Sequence, residues 1–208
     1  MDIYASGWYD QESRKRMKFV RDMIWNDFKP DQKLLDIGCY KAFLSTLLLS
    51  YVKYYGIDFK RYQPMIPVKI QNLNTNIKLP FPNRYFNIIV CSGILEHLFY
   101  PNKIMKEIKR VLKDDGIVVI SLPNEKNLLA RINLLMGKEP PSIEEQETKH
   151  HWIFTPETSR KWVSKYFKIK EEHPYVGLWG RRHLLLPNTL TMMFPNLFCS
   201  DYFLKCVK

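Results

Sequence analysis

The chain has 208 residues, of which 46% are hydrophobic and 14% aromatic, a composition that predicts one packed domain and excludes a disordered or low-complexity chain. Its apolar runs fall short of the ~18 residues that a membrane-spanning helix needs. With no secretory signal pattern and four cysteines that form no CxxC pair, a cytoplasmic protein is expected.

Short apolar runs alternate with segments of helical periodicity, which is typical of βαβ units in a mostly parallel sheet. The predicted strands are residues 34–37, 54–58, 68–71, 86–91, 117–122, 167–173 and 202–207. The last two are expected to pair antiparallel at one edge. The predicted fold class is therefore α/β: a Rossmann-like, doubly wound, mostly parallel seven-stranded sheet with one antiparallel edge strand.

Helical segments fall between these strands. They are predicted at 11–28, 43–51, 101–112, 127–136 and 155–166, the last opened by a capping Thr155 and by Pro156. The first carries a basic cluster opposite its apolar face, formed by Arg14, Lys15, Arg16, Lys18 and Arg21. With the net charge of +11, that cluster indicates an anionic partner such as RNA or lipid headgroups, or a solvated surface.

Two further segments carry unusual residues. Residues 137–151 are polar and irregular, and a loop of that length is usually functional. Residues 184–198 are rich in apolar side chains. They could cover a hydrophobic substrate, touch a membrane, form a homodimer face or pack against the sheet. At the N-terminus, Tyr4, Trp8 and Tyr9 are candidates for an aromatic lid or for core packing.

Candidate ligand-binding residues follow the carboxyl ends of the predicted strands, where open α/β sheets bind ligands. Asp36 and Gly38 close the first strand, Asp58 closes the second, Asn72 follows the third, and Ser92, Gly93, Glu96 and His97 follow the fourth. Gly38 and Asp58 are 20 positions apart. That spacing is expected when an acid binds the ribose hydroxyls of a nucleotide held over the first turn.

The first turn indicates which nucleotide is bound. A dinucleotide pyrophosphate needs G-x-G-x-x-G, whereas residues 38–43 read GCYKAF, so NAD and FAD are disfavoured. S-adenosyl-L-methionine has no phosphate and carries a sulfonium cation. A turn with fewer glycines beside Asp36 is electrostatically acceptable for it.

Ordered motifs resemble those of the class I S-adenosylmethionine-dependent methyltransferases, in the small-molecule branch similar to methyltransferase types 11 and 23. They are LLDIGC (34–39), YGID (55–58), LPF (79–81) with FNIIVC (86–91), ILEHL (94–98), EIKRVLKDDGIVVISLPN (107–124) and HWIFTPE (151–157). The resemblance implies one methyltransferase domain over 1–208, with an N-terminal helix and lid (1–30), a cofactor-binding half (31–124) and a substrate-side half (125–208).

The resemblance also implies S-adenosyl-L-methionine as cofactor and S-adenosyl-L-homocysteine as product. The implied cofactor-binding residues are Asp36, Gly38, Cys39, Tyr40, Asp58, Phe59, Asn72, Leu73, Ser92 and Gly93. The chain departs from the family pattern where Tyr40 and Ala42 replace glycines and where Asn72 replaces an acid that contacts adenine. A positive φ at Ala42 would carry strain.

Methyl transfer is an in-line displacement, so alignment of acceptor and sulfonium is the main task. His97 and His151 are the predicted catalytic residues, with His150 a further candidate, because an imidazole can act as base near neutral pH. No metal is expected. A small-molecule or lipid-like acceptor is predicted; the alternatives are an RNA-directed methyltransferase and a catalytically degenerate binding protein.

Overall fold

Parallel β-strands form the centre of the computed structural model, which describes residues 7–48, 51–62, 66–138, 150–177 and 188–208. The strands are β1 (Gln32–Ile37), β2 (Val52–Asp58), β3 (Lys69–Ile70), β4 (Phe86–Ser92), β5 (Leu112–Pro123), β6 (Lys168–Tyr175) and β7 (Asp201–Val207). They form one seven-stranded sheet in the order β3-β2-β1-β4-β5-β7-β6. Tyr4, the side chain of Trp8, most of the 137–151 loop and the start of the 184–198 segment lie outside the described residues.

The predicted fold class is confirmed. β1, β2, β3, β4 and β5 are joined by parallel pairings. β7 runs antiparallel to both of its neighbours, β5 and β6. The antiparallel strand thus lies between β5 and the edge strand β6, which runs in the same direction as the parallel strands.

Helices follow the strands in the described ranges. They are α1 (Gly7–Ile24), α2 (Phe43–Leu48), α3 (Pro101–Val111), α4 (Leu128–Leu135), α5 (Pro156–Val163), α6 (Asn188–Met193) and α7 (Pro195–Phe198), with 3-10 turns at Trp25–Asp27 and Leu95–His97. The predicted start of α5 is confirmed by a capping box in which the Thr155 hydroxyl accepts from the Thr158 N–H. Among the described residues, no helix combines the length and the apolar character that crossing a bilayer requires.

Both faces of the sheet are covered, which explains the unbroken hydrophobicity of the central strands. Neighbouring residues of one strand point to opposite faces. Leu35, Ile89 and Val118 belong to the core cluster that includes α3, whereas Leu34, Ile88 and Val119 belong to the cluster that includes α1 and α2. The buried face of α3 carries Ile104, Met105, Ile108 and Val111, as its periodicity predicts.

The largest differences from the predicted boundaries are at α1 and β5, and the others are three residues or fewer. α1 begins at Gly7 and its last predicted turn is a 3-10 turn. β5 begins at Leu112, five positions before the predicted Ile117, because Leu112 pairs with Phe86 ahead of an irregularity in the β4 and β5 register. Gly116 fits at this irregularity since an added Cβ would lie 2.7 Å from the Leu112 side chain and 3.0 Å from the Asn87 carbonyl.

Candidate active site

The carboxyl ends of β1, β2, β4 and β5 meet at one edge of the sheet. In the parallel register Ile37 is opposite Ile57 and Cys91, and Ser92 is opposite Ser121. The antiparallel β7 begins at the same edge, because Asp201 pairs with Pro123. The loops after four strands and the first residue of a fifth therefore lie together at the end of the sheet where open α/β folds form their ligand-binding crevice.

The turn after β1 keeps a left-handed backbone at three alternate positions. The φ angles are 74° at Gly38, 50° at Tyr40 and 55° at Ala42. The turn is tied to β2, since the N–H groups of Gly38 and Cys39 donate to the Ile57 carbonyl. A non-glycine residue in this region costs about 1–2 kcal/mol, so Tyr40 and Ala42 hold a glycine-type turn at the expense of strain.

Asp58, at the end of β2, faces this turn. Its Oδ2 accepts from the Tyr40 N–H at 2.8 Å, and its Oδ1 accepts from the N–H groups of Phe59 at 2.7 Å and Lys60 at 3.4 Å. Burial raises the pKa of Asp58, while these backbone donors oppose the rise. A carboxylate has about four acceptor positions, so this one can accept further donors from a ligand.

The side chain of Tyr40 fastens α1 over the turn. Its hydroxyl donates to Asp10 at 2.9 Å, and Lys41 forms an ion pair with the same carboxylate at 2.8 Å. The Tyr40 ring lies 5.1 Å from the ring of Tyr9 and 4.7 Å from that of Tyr62. Tyr9, one of the three predicted lid residues, is thus packed against the turn.

Asp36 is buried beneath the turn. Its Oδ2 accepts from the Tyr54 hydroxyl at 2.6 Å. Burial raises the pKa of Asp36 to about 7, and the nearby charge of Asp58 adds to the rise, although the Tyr54 hydrogen bond opposes it. Asp36 is therefore only partly ionised at neutral pH.

Three of the predicted cofactor-binding residues, Phe59, Asn72 and Leu73, lie beyond β2 and along the loop after β3. Leu73 is buried, whereas 54% of the Phe59 side chain is exposed. Asn72 is exposed, and its side-chain carbonyl accepts from the Asn74 N–H at 2.9 Å. The Asn72 oxygen that could pair with an adenine amino group thus already accepts a hydrogen bond within a local turn.

Arg16 lies over the loop after β4, a position that the sequence analysis missed. Gly93 has a φ of 66°, and an added Cβ there would lie 2.6 Å from an Arg16 nitrogen. The guanidinium forms an ion pair with Asp201 at 2.9 Å. Arg16 is spaced four and eight positions before Val20 and Ile24, so helical periodicity could have assigned it to the buried face of α1.

On the other side of Gly93, the hydroxyls of Ser92 and Ser121 lie 2.7 Å apart. Here the 3-10 turn after β4 meets the loops that follow β5 and precede α5. The Glu96 carbonyl accepts from the His151 N–H at 2.7 Å, and the Leu98 carbonyl accepts from the Trp152 indole at 2.8 Å. These bonds hold residues 150–152 against the turn that carries Glu96.

Three side chains converge in this region. Glu96 is buried, and the rings of His97 and His150 lie 4.6 Å apart. Nδ1 of His150 is hydrogen-bonded to Glu125. The ring of His151 is exposed and contacts Phe99, so the structure brings His150, rather than the imidazole of His151, beside His97.

The charges of this cluster are coupled. Burial raises the pKa of Glu96 to about 7, against the opposing influence of His150. Burial alone would lower the pKa of His150, but the carboxylates of Glu125 and Glu96 raise it overall. A buried carboxyl and an imidazole whose pKa values are both raised are thus placed together, and perturbed pKa values are a common property of catalytic groups.

Comparisons with known proteins were made for sequence and for structure. A model of the methyltransferase domain family matches residues 9–166. The ubiquinone biosynthesis O-methyltransferase of Yersinia enterocolitica is 24% identical over 159 residues, covering 66% of this chain and 64% of the relative. An uncharacterised methyltransferase of Schizosaccharomyces pombe is 28% identical over 187 residues, covering 67% of each.

The chain thus spans slightly less than two thirds of the Yersinia relative. Among solved structures, a crystal structure of an S-adenosylmethionine-dependent methyltransferase from Archaeoglobus fulgidus superposes with a TM-score of 0.65 at 19% identity. That match covers 98% of this chain and 100% of the other. The likeness extends to the whole fold.

Proposed function

The chain belongs to the class I S-adenosylmethionine-dependent methyltransferases, as its motifs predicted, and we propose that it methylates a small-molecule or lipid-like acceptor. S-adenosylmethionine is the cofactor of this family, and S-adenosylhomocysteine is its product. The observation that carries the proposal is the Asp58 carboxylate, held by three backbone N–H groups against a turn with three left-handed residues.

In this proposal the cofactor lies across the carboxyl ends of β1, β2 and β4. Asp58 accepts from the two ribose hydroxyls, because its oxygens retain acceptor capacity beside the backbone donors. Adenine lies along Phe59, Asn72 and Leu73, and the cofactor spans the turn formed by Gly38, Cys39 and Tyr40.

The amino-acid end of the cofactor is assigned to the far side of the turn. The Arg16 guanidinium above Gly93 suits a carboxylate, because a guanidinium offers several donors in a fixed fork. Asp36, partly ionised at neutral pH, suits the sulfonium and amino groups without the full cost of a buried charge. Ser92 contributes a hydroxyl near the methyl group.

The acceptor is assigned to the side of the crevice that carries Glu96, His97 and His150, at the junction of the 31–124 and 125–208 segments. An imidazole there can remove the proton of an acceptor hydroxyl or amine while the methyl group is transferred. His150, oriented by Glu125, joins His97 as a candidate base. His151 remains a candidate only if its exposed ring turns toward the acceptor.

Small-molecule chemistry is supported by the relatives that methylate an oxygen in ubiquinone biosynthesis. The RNA-directed alternative depended on the basic cluster of α1. Two of its members make internal contacts, since Arg16 pairs with Asp201 and the Arg14 guanidinium lies 4.0 Å from the centre of the Phe43 ring. A homodimer and a cytoplasmic location stay predictions, the latter supported by four free buried cysteines.

Calorimetric titration with S-adenosylhomocysteine tests the cofactor site. The wild-type chain is expected to bind, and Asp58→Ala to weaken binding by more than about tenfold, because two hydrogen bonds to a charged group are lost. Asp115→Ala, at an exposed aspartate remote from the turn, is the control and should bind like wild type. If the wild-type chain does not bind S-adenosylhomocysteine at millimolar concentration, the proposal is contradicted.

A turnover assay distinguishes an enzyme from a catalytically degenerate binding protein. The strain at Tyr40 and Ala42 is the reason for testing the second alternative. Labelled S-adenosylmethionine is incubated with fractionated small molecules and lipids in the presence of the chain. Transfer of label to one fraction is expected. Cofactor binding without transfer to any fraction would favour the binding protein.

A further inference from the structure

The cluster of Glu96, His97 and His150 has a donor arrangement that a cofactor-binding role does not explain. Each residue offers one ligand atom, and these atoms all lie within 4.8 Å of one another. Nε2 of His97 is 4.0 Å from Oε1 of Glu96. We propose that these three side chains bind a divalent transition-metal ion, with Zn²⁺ as the best match.

The first argument is an unsatisfied oxygen. The Glu96 side chain is only 4% exposed. Within the described part of the chain, no hydrogen-bond donor reaches its Oε2. A buried acceptor left without a partner costs about 1–3 kcal/mol, and more when it is charged. A bound cation removes this cost because it ligates the oxygen directly.

The second argument is the orientation of His150. Its Nδ1 is hydrogen-bonded to the Glu125 carboxylate. This bond favours the tautomer with a proton on Nδ1 and leaves the lone pair of Nε2 for a metal. Metal-ligating histidines almost always donate their other N–H to a carboxylate, a carbonyl or water, which fixes the ring and raises its basicity.

The third argument is charge. In this part of the site the carboxylates of Glu96 and Asp201 interact with Arg16, which is the one permanent cation near Glu96 among the described residues. The Glu125 carboxylate adds a third negative group, beside His150. The excess of negative groups favours a cation, although the chain as a whole carries a net charge of +11.

The donor types select the metal. Two imidazoles and one carboxylate suit Zn²⁺, whereas Ca²⁺ and Mg²⁺ prefer oxygen ligands alone. Zinc lies about 2.0–2.2 Å from such donors, which places neighbouring donors roughly 3.4 Å apart. Small side-chain rotations therefore close the present cluster around an ion. Three protein ligands also leave one coordination position open.

The binding of metal is independent of the cofactor. Only the role of the open position rests on the proposed function, because an acceptor hydroxyl on this side of the crevice could occupy it. Metal binding is therefore tested with ZnCl₂ alone, in the absence of cofactor and acceptor.

The experiment is a calorimetric titration of ZnCl₂ into tag-free chain that has been treated with a chelator. Wild type is expected to bind one equivalent at micromolar concentration or below. Glu96→Gln and His150→Ala should each weaken binding by at least about tenfold, and Glu125→Gln by about tenfold through the loss of orientation. His173→Ala is the matched control, because this histidine also pairs with a glutamate, Glu171, at 3.1 Å.

Urea unfolding of every variant without metal checks that the fold is retained. Zinc binding that is absent in wild type, or equally strong in Glu96→Gln, His150→Ala and His173→Ala, overturns the inference. S-adenosylhomocysteine is titrated separately. A chain that binds S-adenosylhomocysteine but not zinc contradicts only the metal site, and a chain that binds zinc but not S-adenosylhomocysteine contradicts only the proposed function.

Discussion

Replacing Asp36 by Asn tests the energetic state of the carboxyl group beneath the cofactor turn. The side chain keeps its shape, and its carbonyl oxygen can still accept from the Tyr54 hydroxyl, which lies 2.6 Å from Asp36 in the wild-type chain. What changes is the charge. The variant therefore separates the burial of a negative charge from the packing around it.

Burial raises the pKa of Asp36 from 3.8 to about 7. The folded chain thus binds a proton more tightly at this group than the unfolded chain does, so the fold loses stability as pH rises above 3.8, and the loss is complete above about 7. The total corresponds to about 4 kcal/mol, of which about 2.5 kcal/mol falls between about pH 5 and about pH 8.

The assay is the free energy of unfolding in urea, measured without cofactor for both chains at about pH 5 and about pH 8. The stability of Asp36→Asn relative to wild type should increase by about 2.5 kcal/mol between the two pH values. Asp114→Asn is the control whose stability relative to wild type should not change between these pH values, because the Lys208 ammonium lowers the pKa of that exposed carboxyl and it is ionised in the folded and the unfolded chain throughout the range. A relative stability of Asp36→Asn that does not change with pH would refute the reasoning.

Four further substitutions test the turn after β1, the loop after β4 and the helix α1 that lies over them. Gly93→Ala should destabilise the chain by about 1–3 kcal/mol, because residue 93 has a positive φ and the added methyl group would contact Arg16. Gly137 has a similar φ with open space around it, so Gly137→Ala measures the backbone strain alone in the same urea titration. Ala42→Gly should change the free energy of unfolding by less than about 1 kcal/mol, because relief of strain offsets the loss of a buried methyl group. Ala42→Val should cost more than about 2 kcal/mol, since a β-branched residue tolerates a positive φ poorly, and equal stabilities of the two variants would contradict this. Arg16→Met should weaken S-adenosylhomocysteine binding by about tenfold or more in calorimetry through the loss of a charge-assisted contact, whereas Arg21→Met, at a residue that pairs with the exposed Asp22, should not.

The sheet could be predicted from the sequence because its strands follow local rules. Buried parallel strands are short and continuously apolar, and the helix of residues 101–111 has a clear apolar period, so their existence did not depend on long-range information. The position of β7 between β5 and β6 could not be predicted. Its order in the sheet depends on pairing between segments far apart in the chain, which leaves no local pattern.

Candidate site residues at the ends of strands could be predicted from the sequence. Those that come together only through tertiary packing were missed. Asp36 and Asp58 could be named as candidates because each lies at the carboxyl end of a strand, and Gly38 because it directly follows one. Arg16 and Asp201 come from opposite ends of the chain and meet only in the folded state. The choice between His150 and His151 depends on which neighbour points inward, and two adjacent histidines in a loop give no periodicity from which to decide.

The late position of β7 in the chain affects how the protein is made. On the ribosome, the nascent chain releases β5 and β6 well before β7, so β5 presents an open edge and β6 has no partner until residues 201–207 emerge. Open strand edges are where nascent chains associate with one another. Without β7, two strand edges are therefore open to other chains, and β7 covers both when it inserts between β5 and β6.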